Sequence, residues 1–456
     1  MGTMTPSSRA AVVLLPALLG EICGCAGSRP SASTRTAPLL GRARVGIIVS
    51  NYAAGNRAFS RGDWQNASDG FYRVYAENAK DDVAIYLAAA TWVRAGKPEA
   101  AFEWLQRLWQ TGSCLTPSPK SFAAIENDPR FQDASAILRA QAAKATRAAV
   151  AFTVRETDLV PESLAYDPVE KVFYLSSLWK RKIVRVKPAR PGAPAAVEDF
   201  VGEGADGLDA VLGLRVDPKR RRLWAVSAAE PEMKGFTPEA YGRSALCEYD
   251  LVSKRLVRKI TLPGASAHLF GDLALDAAGD VYVTDTEAAE VHVLRAGGGE
   301  LKTLVPNGRF VAPNGIALSA DEKHLYVADV VQGLFHVDPA TGVVQPLDQP
   351  AGLFPVGLDG LVLDGGSILG IMNVVGAGRV ARWRITADGR ALEEGEVLEC
   401  GHPAFHQPTR GVVVDGAFYF IANSQSDQIA DGALAAEKLE DIVILRLPLP
   451  RDNPRP

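Results

Sequence analysis

The chain has 456 residues, 47% hydrophobic and 22% charged, with a formal net charge of -4. That length allows two or three domains with a large core. No long basic run is present, which excludes nucleic acid as a partner, because neutralising phosphates takes clustered Lys and Arg.

At the N-terminus, Arg9 precedes the apolar run AAVVLLPALLG, too short to span a bilayer as a helix, and then comes Ile22-Cys23-Gly24-Cys25. A basic residue, a short apolar segment and a small residue before the cut describe a secretory signal over residues 1–24. Its tail resembles a bacterial lipobox, with Ile22 at minus three, Gly24 at minus one and Cys25 as the acylated residue. That resemblance implies a cell-envelope protein, held to the membrane only through a lipid on Cys25. Ala26 rather than Asp after the cysteine implies the outer membrane, facing the periplasm. Residues 25–42 are polar and Pro/Ser-rich and read as a tether. Cys114, Cys247 and Cys400 are scattered and lack metal spacing. They read as small apolar fillers rather than a disulfide framework.

Residues 43–150 are rich in Ala, aromatics and charges at helical spacing. A period of 34 residues aligns Gly55 with Ala89, Ala58 with Trp92, Gly62 with Gly96, Ala67 with Ala101 and Phe71 with Leu105. This alternation of small and large residues resembles the tetratricopeptide repeat, with Gly62 and Gly96 ending the first helix of each pair. A third segment with a turn at Asp128-Pro129 resembles an incomplete closing unit. Arrays this short are marginal alone, so the helices are expected to pack on the following domain or on a protein partner.

From residue 151 to 450 one phrase recurs six times: ESLAYD, LGLRVD, GDLALD, NGIALS, DGLVLD and RGVVVD. After each comes a turn and a run such as VFYLSS, RLWAVSA, DVYVTD, HLYVAD, SILGIMN or AFYFIAN. These are strand–turn–strand units with period-2 patterning, most of them followed by one or two more strands. A repeat of about 45–60 residues fits four-stranded propeller blades. The fold expected is mainly β: a six-bladed β-propeller behind an α-helical domain, with a short tail at 451–456.

The first strand of each blade lines the central channel. The residues that open the six phrases, Glu162, Leu212, Gly271, Asn314, Asp359 and Arg410, should therefore ring one mouth. Three are oxygen donors suited to a hard cation. The second strand returns to the same mouth and ends at Ser177, Ser227, Asp285, Asp329, Asn373 and Asn423. Taken singly, Asn314-Gly315 and Asp359-Gly360 could be turn dipeptides.

Together these features resemble the senescence-marker-protein and gluconolactonase family, which includes regucalcin. The resemblance rests on PESLAYD, on PNGIALS (the sharp match), on GLDGLVLD, and on FGDLALDAAG in place of that family's FNDG phrase. It implies a lactone hydrolase with one divalent metal, most simply Ca²⁺, with Mn²⁺, Mg²⁺ or Zn²⁺ as alternatives. Glu162, Asn314 and Asp359 would be its ligands. Asp359 or Asp272 would be the catalytic base. Gly271 stands where a fourth ligand, an Asn, would be, and the ring is expected to open into space there.

Arg410 could pair with Asp359 or Glu162 and displace a metal, or bind a substrate carboxylate. His268, His402 and His406 lead into blades 3 and 6 at this mouth. His268, His406 and Asp329 join Arg410 as candidate substrate contacts. Insertions at 229–242 and 424–439 should overhang the mouth as lids, the second with helical propensity. Two functions stay open at this level. One is a metal-dependent hydrolase of lactones or related esters acting on a small molecule. The other is a non-catalytic envelope module whose propeller and helical repeats both serve as binding surfaces.

Overall fold

A computed structural model describes residues 40–376 and 378–450. The signal segment, Cys25, nearly all of the tether and the 451–456 tail lie outside the described residues. Within them, residues 42–143 form helices and six four-stranded antiparallel sheets follow.

The helical region opens with the hairpin Arg42–Ser60 and Trp64–Glu77. Its two helices approach closely at Gly55 and Gly70. A Cβ on Gly70 would lie 2.7 Å from Gly55 Cα, and one on Gly55 would lie 2.9 Å from the Phe71 ring. Gly62 and Gly96 take positive φ just past the first and third helices, the left-handed conformation that ends a helix at little cost. Asp63 and Asp81 cap the helices that follow them. The third helix, Asp82–Arg94, is covered along almost its whole length. The helices Pro98–Gln110 and Pro129–Ala143 complete the region.

The helices dock on blades 4 and 5 and share one apolar core with them. Tyr52 stacks on Phe354, and Asn78 exchanges hydrogen bonds with the Gly352 backbone. Asp82 accepts from both terminal nitrogens of the fully buried Arg379, at 2.7 and 3.0 Å. The expectation that the helices pack on the next domain holds. The reading of Cys114 and Cys400 as fillers is corrected, because a disulfide joins them across this junction. They are 286 residues apart, and only docking brings them together. Cys247 remains a buried thiol.

Blade 1 is Leu164–Asp167, Val172–Ser177, Lys182–Lys187 and Ala196–Val201. Blades 2 to 5 follow in the same order from innermost to outermost strand. Blade 6 takes Thr409–Val414, Ala417–Ile421 and Ile442–Pro448 from the chain's end. Its outermost strand is Ala149–Val154, from the start of the propeller. Hydrogen bonding between the first and last strands closes the ring. The second strands, Val172–Ser177, Val281–Asp285, Leu325–Asp329 and Ser367–Met372, are buried at every residue. Each is covered by neighbouring blades on both faces, so burial is continuous along these strands and the period-2 alternation expected of them is not seen in their burial.

Candidate active site at the channel mouth

The repeated phrase owes its function to a local irregularity. In blades 2 to 6 the pairing of first and second strands slips at the phrase's opening residue. The shifts fall between Val211/Gly213, Phe270/Leu273, Pro313/Ile316, Leu358/Leu361 and Thr409/Gly411. A bulge adds a residue and re-aims its side chain, here into the channel. Asn314-Gly315 and Asp359-Gly360 are therefore strand residues at bulges, not turn dipeptides. The glycines let neighbouring first strands approach: a Cβ on Gly315 would meet Leu361 at 2.9 Å, and one on Gly360 would meet Arg410 at 2.6 Å.

The ring converges on one side chain. Arg410 Nη1 donates to the carbonyls of Leu212 at 2.5 Å and Gly271 at 2.8 Å. Its Nη2 donates to Asn314 Oδ1 and lies 3.5 Å from Asp359 Oδ1. One guanidinium thus touches the opening residues of blades 2, 3, 4 and 5. Burial works against its charge, but Asp272, Asp359 and Glu162 outweigh burial and hold its pKa above the ordinary value.

Above Arg410 lies a pocket of about 160 Å³ lined by Glu162, Asn314, Asp359, Asn373, Thr409 and Ser424, with Val330, Val374, Gln407 and Ser426 at its edge. Asp359 Oδ1 accepts from Asn314 Nδ2 at 3.1 Å, and its Oδ2 accepts from Asn373 Nδ2 and Thr409 Oγ1, both at 2.8 Å. Ser424 Oγ donates to Glu162 Oε1 at 3.1 Å. Thr409 Oγ1 also lies 3.1 Å from Glu162 Oε2. A hydroxyl has a single proton to give. If it goes to Asp359 over the shorter distance, the Glu162 contact is completed by a proton on Glu162. The electrostatics agree. Burial first, then the charge of Asp359, push the Glu162 carboxyl up to about 7, against the opposing pull of Arg410, Thr409 and Ser424.

The divalent cation implied by the sequence resemblance needs three oxygens facing one point. Asn314 instead gives its oxygen to Arg410 and its nitrogen to Asp359, and the guanidinium supplies the positive charge. This donor arrangement does not fit a divalent cation. Gly271 does not open into space, since a Cβ there would lie 2.9 Å from Asn314 Oδ1 and 3.1 Å from Thr286 Oγ1.

Other expected site residues lie elsewhere. Asp272 is fully buried, pairs with Arg215 at 3.0 Å and does not line the pocket. Asp329 accepts from the backbone N–H groups of Val311, Ala312, Val331 and Gln332 and so caps the loops on either side of it. His406 pairs with Asp427 at 2.8 Å on the exposed rim. His268 bonds Asp285 in blade 3. His402 accepts from the Ala404 N–H within its own loop.

The 424–439 insertion is not a helix. It forms a small hairpin, Ile429–Ala430 with Ala433–Leu434, between 3₁₀ turns. Ile429 and Leu434 join the apolar cluster that holds Met233 and Phe236 of the 229–242 insertion, so the two loops share one anchorage. The latter loop also carries Glu230. Burial, then Glu232, Glu162 and Glu287, push its carboxyl up to about 8.

Sequence reasoning missed Thr409, the bridge between the carboxyls. It precedes the phrase's opening residue, and no pattern in the sequence distinguishes it. Glu230 was within reach, since AEPE stands in the loop expected to overhang the mouth.

No protein-family model and no curated protein matches the chain. Solved structures do. The major allergen Mala s 1 of Malassezia sympodialis is similar over 64% of this chain and 95% of its own, at 17% identity and a TM-score of 0.50. The PQQ-bound aldose sugar dehydrogenase of Streptomyces coelicolor matches over 65% and 96%, at 14% identity and a TM-score of 0.45. The virginiamycin B lyase of Staphylococcus aureus matches over 65% and 98%, at 12% identity and a TM-score of 0.42. At such identities the likeness is one of fold alone, and the six-bladed β-propeller itself is shown by the chain's own six four-stranded sheets.

Proposed function

We propose that the chain is a hydrolase of lactones or related small esters, acting in the pocket at the channel mouth. The observation that carries this reading is the carboxyl pair bridged by Thr409, with Glu162 pushed up to about 7 by burial and by Asp359, and Asp359 accepting from Asn314, Asn373 and Thr409. Acyl transfer to water takes a general acid and a general base within reach of one carbonyl, and this pair offers both roles.

In the proposed reaction a water attacks the carbonyl carbon and gives its proton to Asp359. The carbonyl–oxygen bond of the ring then breaks, and Glu162 gives its proton to the leaving alkoxide. The product is a hydroxy acid. The proton on Asp359 returns to Glu162 through the Thr409 hydroxyl. Arg410, beneath the pair, balances their charge and fixes Asn314. No step passes through a metal, and Asp272 has no part in the chemistry.

A panel of lactones and aryl esters tests this. Turnover should persist in EDTA and fall by about 100-fold or more in Glu162→Gln, the scale of general acid catalysis. A panel with no turnover, with or without added Ca²⁺, Mn²⁺ or Zn²⁺, would overturn the reading. Activity abolished by EDTA and restored by Ca²⁺ would replace the proton pair with metal chemistry.

A further inference from the structure

Blade 3 holds a second group of ligating side chains, none of which lines the mouth pocket. His268 stands in the segment leading into the blade. Asp285 ends its second strand, and Glu290 and His292 belong to its third, Glu290–Leu294. The ligating atoms of His268, Asp285 and His292 lie within 4.8 Å of one another. His292 Nε2 is 3.3 Å from Asp285 Oδ2 and 3.6 Å from Glu290 Oε2, and His268 Nδ1 is 2.6 Å from the same Asp285 oxygen. Zinc bonded tetrahedrally at 2.0–2.1 Å separates its ligands by about 3.4 Å. The two spacings from His292 already match, the partly exposed His268 must move outward, and Glu290, which stands outside the 4.8 Å group, must swing in to complete the set.

The ligands are also oriented by their neighbours. Asp285 Oδ1 accepts from the backbone N–H groups of Leu269 at 2.9 Å and Ala288 at 3.1 Å, which leaves Oδ2 aimed at both rings. Glu290 Oε1 accepts from Asn307 N at 3.3 Å, which leaves Oε2 facing His292. His292 Nδ1 lies 3.4 Å from Thr303 Oγ1, a contact that leaves Nε2 as the ligating nitrogen. Partners of this kind fix tautomer and direction at metal sites. The Phe270 ring borders both imidazoles. The two carboxylates carry the charge that one divalent cation cancels, and the imidazole nitrogens favour zinc over calcium or magnesium.

We infer that His268, Asp285, Glu290 and His292 form a zinc site that pins the segment leading into blade 3 to that blade. This site is independent of the proposed hydrolytic pocket. The test uses the full chain, stripped with chelator and then titrated with Zn²⁺ and, as a spectroscopic probe, Co²⁺. One equivalent of zinc should survive dialysis, and Co²⁺ should give the intense visible bands of a tetrahedral ion. Affinity should drop at least tenfold in His268→Ala and in Glu290→Gln, both partly exposed positions whose replacement leaves the blade core intact. Zinc binding should persist in Glu162→Gln and Asp359→Asn, which separates this site from the mouth. A wild-type chain that takes up no zinc, or variants at His268 and Glu290 that bind as the wild type does, would overturn the inference.

Discussion

Arg410 donates to the side-chain oxygen of Asn314, and the Asn314 amide consequently presents its nitrogen to Asp359 at 3.1 Å. A ring of residues that suits a metal in composition is thereby closed around a guanidinium. The same contact governs what the site does when it is perturbed.

Removing Arg410 is the first test. Arg410→Ala leaves Asp272, Asp359 and Glu162 without their shared cation, and breaking a buried ion pair in this way costs about 3–5 kcal/mol. Chemical denaturation should show that loss. Asn314 is then free to turn its oxygen to the cavity, so calorimetry should find Ca²⁺ binding in the variant that the wild type lacks. Equal Ca²⁺ binding by both chains would refute the role given to Arg410.

Gly271→Asn should not create a metal ligand. The new Cβ meets Asn314 Oδ1 and Thr286 Oγ1 inside ordinary contact distance. Overpacking of this kind costs about 1–3 kcal/mol. Lower stability without gained Ca²⁺ affinity is the expected result; a stable variant that binds Ca²⁺ would contradict it.

Glu162 sets a pH dependence. As the general acid it works while protonated, so kcat/KM for a responsive lactone should fall as pH rises through about 7, and this limb should vanish in Glu162→Gln. The stability effect has the same origin. The folded chain keeps a proton that the unfolded chain releases from its ordinary carboxyl pKa upward. Stability is therefore lost between that pKa and about 7, and Glu162→Gln should be the more stable protein at pH 8.

The disulfide between Cys114 and Cys400 ties the helices to blade 5. Reduction, or Cys400→Ala, should lower stability by about 2–5 kcal/mol, read as a shift in thermal midpoint between reduced and oxidised protein. An unchanged midpoint would show that the shared core and the Asp82–Arg379 pair hold the junction alone.

What the sequence determined by itself was everything carried by local periodicity. Six phrases of alternating residues specify six inner strands, and the alternation of small and large residues in the 34-residue repeat specifies close helix packing at Gly55. The opening residue of each phrase was legible as a channel residue, because equal positions in equal blades face one axis. Tertiary structure decided what depends on groups far apart in the chain. The orientation of the Asn314 amide is set by Arg410, 96 residues away. The protonation of Glu162 is set by burial and by Asp359, and the pairing of Cys114 with Cys400 by docking across 286 residues. The strand that closes the ring comes from Ala149–Val154 at the opposite end of the domain from its partner. Hydrogen-bond direction, desolvation and domain contact are properties of the assembled neighbourhood. A residue's type and spacing say only that it could take part.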